Sequence, residues 1–259
     1  MKYSTKALLG IAGLVGLFAT GAYADDAGPA PDWAVAGSVD VQTDYKFRGI
    51  SQNDQNPSPQ GALNLTGPDG FYVGSWASTI NWQLGGQNEN PGVEWDIYGG
   101  KHFDLDGTDL NIEPYYYAYP DASLPHGSSK ASYFEVITQL THAFGPLSVQ
   151  GTWSYSPEFS LGGGTGNWLA GNATYTITDW LSASANVGHQ WVQAAKYFDS
   201  SDYTEWDIGA TATWKMFSLD LRYIDTDLNK SACGFYMATK DACQGNFVAT
   251  LSYNFALFP

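Results

Sequence analysis

Between Val35 and Arg48 the chain alternates almost without error. Val35, Gly37, Val39, Val41, Thr43, Tyr45 and Phe47 share one parity, and Ala36, Ser38, Asp40, Gln42, Asp44, Lys46 and Arg48 the other. Successive side chains of a β-strand point to opposite faces, so the pattern predicts a single strand, apolar on one side and polar on the other. Similar segments recur to the C-terminus. Twelve are expected, over 34–48, 59–66, 70–82, 93–103, 109–119, 132–142, 146–155, 167–177, 180–192, 202–214, 216–224 and 245–255. Ten or fourteen strands are the alternatives. Most of these lengths suit the ~9–11 residues of a tilted membrane strand.

The connections alternate. Gly67-Pro68-Asp69, Asp104 to Thr108, Phe144-Gly145, Thr178-Asp179 and Lys215 are tight. Gly49 to Ser58, Gln83 to Gly92, Pro120 to Ala131, Ser156 to Gly166, Gln193 to Ser201 and Asp225 to Gln244 are long. Short turns on one side and long loops on the other are the rhythm of an antiparallel transmembrane β-barrel of the outer membrane, with short turns facing the periplasm. An even strand count then puts both termini in the periplasm. The last strand agrees: Phe247, Ala249, Leu251, Tyr253 and Phe255 share a face, as in the terminal strand that the barrel-assembly machinery reads, although Ala256 to Pro259 follow it. A secreted soluble barrel is the competing reading, since periodicity does not say which face is inside.

The N-terminus supplies the export signal. Lys2 and Lys6 precede an apolar run from Ala7 to Ala19, and Ala22-Tyr23-Ala24 forms a small-x-small cleavage site. Residues 1–24 are therefore expected to be a cleaved signal peptide, 25–32 a short periplasmic lead, and 33–259 the barrel. The net charge is −15, or −17 once Lys2 and Lys6 leave with the signal. So acidic a chain has no electrostatic footprint for nucleic acid. Half of that charge is accounted for by solvated loops carrying Asp54, Glu89, Glu158 and Asp199. Ten tryptophans, 17 tyrosines and 13 phenylalanines suit two interfacial girdles, with Trp180 and Trp214 beside short turns and Trp82 and Trp191 near long loops. Cys233 and Cys243, an even pair in one exported loop, point to a disulfide rather than to a zinc site.

Several blocks resemble a known family. Thr43-Asp44-Tyr45-Lys46-Phe47-Arg48-Gly49-Ile50-Ser51-Gln52 followed by Gln60-Gly61 resembles the N-terminal signature of the TorF-type porins, a proteobacterial group of outer-membrane proteins formerly described as conserved proteins of unknown function. The runs Gly70 to Ser78, Glu94 to Gly100, Gly145 to Val149 and Tyr155 to Phe159 resemble its later blocks. The resemblance covers the mature chain and implies an outer-membrane channel. It brings no substrate and no catalytic residue.

On the strand assignment, Lys46 and Arg48 end the first strand on its polar face, near the outer rim. Glu94 and Asp96, Glu135, and Glu205 and Asp207 begin the fourth, sixth and tenth strands. Arg222 ends the eleventh, above Asp220. Opposed charges across a constriction tune selectivity, and the acid excess predicts a weak preference for cations or passage of neutral solutes. The competing reading makes the same residues a plug in a non-conducting structural or adhesive barrel, and Arg48 paired with Glu94 or Asp96 fits either role. Tyr115, Tyr117 and Tyr119 share the inward face of the fifth strand above Glu113. They form either a sliding surface for solutes or space-filling hydrogen-bond donors, and the second is favoured. Gly162-Gly163-Gly164 lacks the lysine and helix of a phosphate loop and reads as flexible loop. Asp225 and Asp227 read as solvated loop charge rather than a calcium site. His102, His126, His142 and His189 are scattered and no serine sits in a nucleophile elbow, so no enzyme is expected. The function expected is passive diffusion of small hydrophilic solutes with no cofactor. The implied surroundings are outer-membrane lipid and lipopolysaccharide, while the oligomeric state is not legible.

Overall fold

The computed structural model describes residues 33–82, 91–120, 122, 131–193, 202–236 and 239–258. The signal peptide, the 25–32 lead, parts of four long loops, Glu89, His126 and Asp199 lie outside the described residues. Among the described residues fourteen strands occur: β1 (Ala34–Gln42), β2 (Lys46–Phe47), β3 (Ile50–Ser51), β4 (Ser58–Thr66), β5 (Phe71–Thr79), β6 (Val93–Asp104), β7 (Thr108–Ala118), β8 (Tyr133–Phe144), β9 (Leu147–Phe159), β10 (Gly164–Thr178), β11 (Leu181–Val192), β12 (Tyr203–Trp214), β13 (Phe217–Thr226) and β14 (Asn246–Phe258). Twelve of them, β1 and β4 to β14, form one closed antiparallel barrel, with β1 paired to β4 on one side and β14 on the other. Closure removes the edges that would leave backbone groups unpaired in lipid.

The barrel is polar inside and apolar outside. On β1 the alternation resolves into Val39 at 56% and Val41 at 51% exposure against Ser38 and Asp40 at 4% each. Leu63, Val73, Ile97, Leu169, Val187, Ile208 and Leu221 continue the exposed apolar surface round the wall. A soluble barrel puts that face inward, so the secreted soluble alternative falls. Aromatic residues crowd both ends of this surface. Phe144, Tyr175, Trp180, Trp214 and Phe217 sit by the short turns, and Trp95, Tyr116, Phe134, Trp191, Trp206 and Phe247 towards the long loops. Trp82 is an exception: it is buried, and its Nε1 donates to Gln52 Oε1 at 2.9 Å. Short turns follow their residues: Asp106 and Gly107 both adopt positive φ, as a two-residue hairpin turn requires.

Two departures matter. The first strand ends at Gln42 instead of running to Arg48, and the chain turns into the barrel, where β2 and β3 pair as a miniature hairpin. The predicted long loop from Ser156 to Gly166 is mostly strand: β9 and β10 extend to Phe159 and from Gly164, joined by a tight turn in which Gly162 and Gly164 adopt positive φ. The three glycines thus cap a hairpin and are not a free loop. The loop from β13 to β14 carries a short helix, α1 (Lys230–Tyr236), and the bonded pair Cys233–Cys243.

An arginine on the outer face at mid-strand tests the membrane exterior. Ile97→Arg is expected to lower folding stability in lipid bilayers by about 2–4 kcal/mol, read from the urea midpoint of tryptophan fluorescence.

Candidate functional site

The hairpin β2–β3 is the centre of the site. Its two turn residues, Arg48 (φ 48°) and Gly49 (φ 83°), both occupy the left-handed region. For a residue with a Cβ that region costs about 1–2 kcal/mol, so Arg48 is held there by its surroundings. Gly49 has no alternative: a Cβ on it would lie 2.5 Å from Thr226 Cγ2 and 2.8 Å from Glu205 Cβ. The hairpin tip therefore touches β12 and β13, three and two strands round the wall from β1. On the way, Tyr45 packs edge-on against Trp76 of β5 and Phe47 against Tyr117 of β7.

Arg48 is 2% exposed, and its guanidinium bridges the lumen. Nη1 and Nη2 donate to the two oxygens of Glu135 on β8 at 3.1 and 2.7 Å, and Nη1 also donates to Gln190 Oε1 on β11 at 2.6 Å. The Trp168 ring of β10 lies 5.0 Å from its Cζ. The receiving groups are themselves fixed. Tyr117 donates to Glu135 Oε2 at 3.2 Å. Gln190 Nε2 donates to the backbone carbonyls of Asn167 and Trp191 at 3.0 and 3.1 Å, which turns Oε1 towards the arginine. Trp168 lies over Gly188, where a Cβ would meet its ring at 2.1 Å.

The hairpin is tied to the disulfide-bearing loop. Lys46 Nζ donates to Gln244 O at 2.7 Å, Ser51 N to Ala242 O at 2.9 Å, and Gln55 Nε2 to Asp241 O at 2.6 Å. Asp44 accepts from Ser51 and Asn246 at its base. Lys46 and Arg48 are thus not wall residues at the strand end; they hang inside the barrel on a loop.

The remaining sequence candidates separate into three places. Glu94 and Asp96 do not pair with Arg48: they are buried beneath tyrosines, Tyr119 donating to Glu94 at 3.2 Å and Tyr115 to Asp96 at 2.8 Å. Tyr98, Tyr115, Tyr117 and Tyr133 form a stacked row with ring centroids 4.4–5.0 Å apart. These tyrosines pack against one another, and Tyr115 and Tyr117 donate hydrogen bonds to Asp96 and Glu135. Glu113 lies deeper, accepting from Tyr72 at 2.5 Å. The second cation, Arg222, pairs with Asp207, with Asp220 at 3.1 Å and with Ser184 at 2.9 Å. It forms its own cluster on β11–β13, and at 16% side-chain exposure it is more open than Arg48. Glu205 accepts from Asn186 between the two clusters. The single basic group expected from sequence is therefore two, at different depths. Among the described residues, Asp40, Asp44, Glu94, Asp96, Glu113, Glu135, Glu205, Asp207 and Asp220 face Lys46, Arg48 and Arg222 inside the barrel, so carboxylates outnumber cations. His102, His142 and His189 hydrogen-bond to Asp109, Thr108 and Thr204 rather than to serine.

Gln190, Trp168 and Gly49 were not singled out by sequence. Gln190 carried a readable signal, as a polar residue of inward parity near the long-loop end of its strand. For Gly49 and Trp168 the role depends on what the hairpin reaches, which no local pattern encodes.

A family model matches residues 26–255, nearly the whole barrel. The chain belongs to that family, described as a bacterial protein of unknown function (Gcw_chp). No curated protein matches the sequence. Among solved structures, the KdgM porin in complex with disordered oligogalacturonate is similar with a TM-score of 0.54 and 8% identity, over 86% of this chain and 99% of that one. The NanC porin is similar with a TM-score of 0.53 and 11% identity, over 85% and 99%. At these identities the likeness is one of fold: a Gcw_chp chain takes the architecture of a porin barrel.

The Arg48–Glu135 pair is buried, so removing one partner strands the other. Arg48→Ala and Glu135→Ala are each expected to cost about 3–5 kcal/mol, and the apolar pair Arg48→Met with Glu135→Leu to regain most of it. Urea titration of the refolded variants measures this.

Proposed function

We propose that this Gcw_chp protein is an outer-membrane porin-like channel for small hydrophilic solutes. The observation that carries the reading is the hairpin β2–β3, folded from the long-loop end into a polar lumen that is wrapped by a lipid-facing apolar wall. A loop folded inward sets the narrowest point of a water path, and the charges around it set what passes. The similarity to the KdgM and NanC porins supports a conducting barrel, and the TorF-type resemblance points the same way. KdgM is named with an oligogalacturonate, a polyanion. The carboxylate excess inside this barrel disfavours polyanions, which supports passage of cations and neutral solutes here. The long loops would face outward among lipopolysaccharide, with both termini periplasmic. No catalytic step is part of this reading.

A second reading rests on one feature. Gly49 seats directly on Glu205 and Thr226 while Arg48 reaches Glu135 on β8, so the hairpin spans the lumen. A barrel sealed at that depth would present its loops without conducting.

Planar-bilayer recording decides between them. The mature protein is expected to give reproducible current steps with a cation-positive reversal potential in a salt gradient. Deleting Lys46–Ser51 should raise unit conductance several-fold, and Asp220→Asn should move the reversal potential towards anions. Silence from folded wild-type protein, with current appearing only after the deletion, would establish the sealed reading.

A further inference from the structure

The hairpin does more than narrow the lumen; the way it is held describes a receptor. Besides the Phe47 ring of the hairpin itself, 4.7 Å away, the groups that bind the Arg48 guanidinium belong to the wall: Glu135 on β8, Gln190 on β11 and the Trp168 face on β10. Each is oriented by the wall and not by the hairpin, through Tyr117, the carbonyls of Asn167 and Trp191, and the close approach to Gly188. Receiving groups that are held in place by rigid strands keep their geometry when the occupant leaves. Two carboxylate oxygens, an amide oxygen and an indole face make a set suited to a planar cation.

The occupant fits less well than the receptor. Arg48 reaches the site from a left-handed backbone position, and its Nε, buried, finds no acceptor among the described residues. A buried unpaired donor and a strained φ both weaken the tethered occupant relative to a free one.

We infer that the Glu135–Gln190–Trp168 pocket is a binding site for small solutes carrying a guanidinium group, and that Arg48 is its tethered internal occupant, displaced as such a solute enters. This deepens the channel reading and rests on it. The hairpin then acts as a competitor: the solute that best replaces its guanidinium widens the narrow point, while neutral solutes leave the hairpin in place.

Binding of agmatine, a small guanidinium-bearing amine, to the full mature protein in detergent tests this by calorimetry. An uncharged urea analogue of the same length serves as control. Wild-type protein is expected to bind agmatine saturably and the analogue not at all. Arg48→Ala, which removes the competitor, should bind at least ~10-fold tighter, and Arg48→Ala with Glu135→Gln should lose binding. Should Arg48→Ala fail to fold, Gly49→Ala serves: its Cβ meets Thr226 and Glu205 but none of the three receiving groups, so it pushes the hairpin tip off the wall, and agmatine should bind about 5-fold tighter or more. Absence of saturable binding to wild type overturns the inference, even if Arg48→Ala takes up agmatine, since filling a vacated pocket is not displacement. Equal binding of the urea analogue, or binding that survives Glu135→Gln, overturns it as well. Agmatine binding by a protein that passes no current would leave the site standing and remove the channel reading. Current without agmatine binding would do the reverse.

Discussion

In a bilayer no water reaches the backbone, so every peptide N–H and C=O in the wall has to find a partner in a neighbouring strand. The β1–β14 ladder meets this condition, running from Val35↔Phe258 to Gln42↔Thr250 and joining the two ends of the sheet. Its end also sets where the first strand leaves the wall. Past Thr43, whose N–H donates to Ala249 O, β1 has lost β4, which begins at Ser58, and has only Asn246 to Val248 of β14 beside it. The next residues satisfy their backbone groups within the loop instead. Lys46 pairs with Ser51, Phe47 with Ile50, and Gln52 N donates to Tyr45 O. An inward hairpin is what remains when a strand of alternating residues outruns its neighbours and one of its faces is charged.

Placing charges in this interior needs compensation, and the two arginines obtain it differently. Arg48 is sealed, with two carboxylate oxygens, an amide oxygen and an aromatic face around it. Arg222 stays partly wet and shares Asp207 and Asp220 with the lumen. A buried pair of the first kind adds little net stability over an apolar substitute but is costly to break, so its presence at the tip of a strained turn is better explained by what it positions than by stability. The tyrosine row of β6–β8 plays the complementary part. It fills the lumen beside the hairpin and, together with Tyr119, supplies hydroxyl donors to one oxygen each of Glu94 and Asp96, and to Glu135 alongside Arg48.

Much of this was legible in the chain. Period-two alternation and turn residues located the twelve barrel strands, mostly to within a few residues, because each strand reports its own two faces and each turn its own φ requirement. The extension of β9 and β10 through Ser156–Gly166 was not visible, since Pro157 and three glycines read locally as loop while strand pairing overrode them. Inward parity found the charged residues of the lumen, yet their pairing was misassigned: Arg48 meets Glu135, not Glu94 or Asp96.

The sequence alone therefore determined an exported, antiparallel barrel with alternating short and long connections, and which residues would share a face. Those properties follow from the backbone's period and from local turn chemistry. Three matters waited for the tertiary structure: that the apolar face is outside, that residues 43–57 fold inward, and that Arg48 reaches Glu135, Gln190 and Trp168. Parity is the same for a barrel turned inside out, and an alternating segment reads alike in a wall or in a hairpin within it. Only closure, which decides where each strand runs out of partners, distinguishes them.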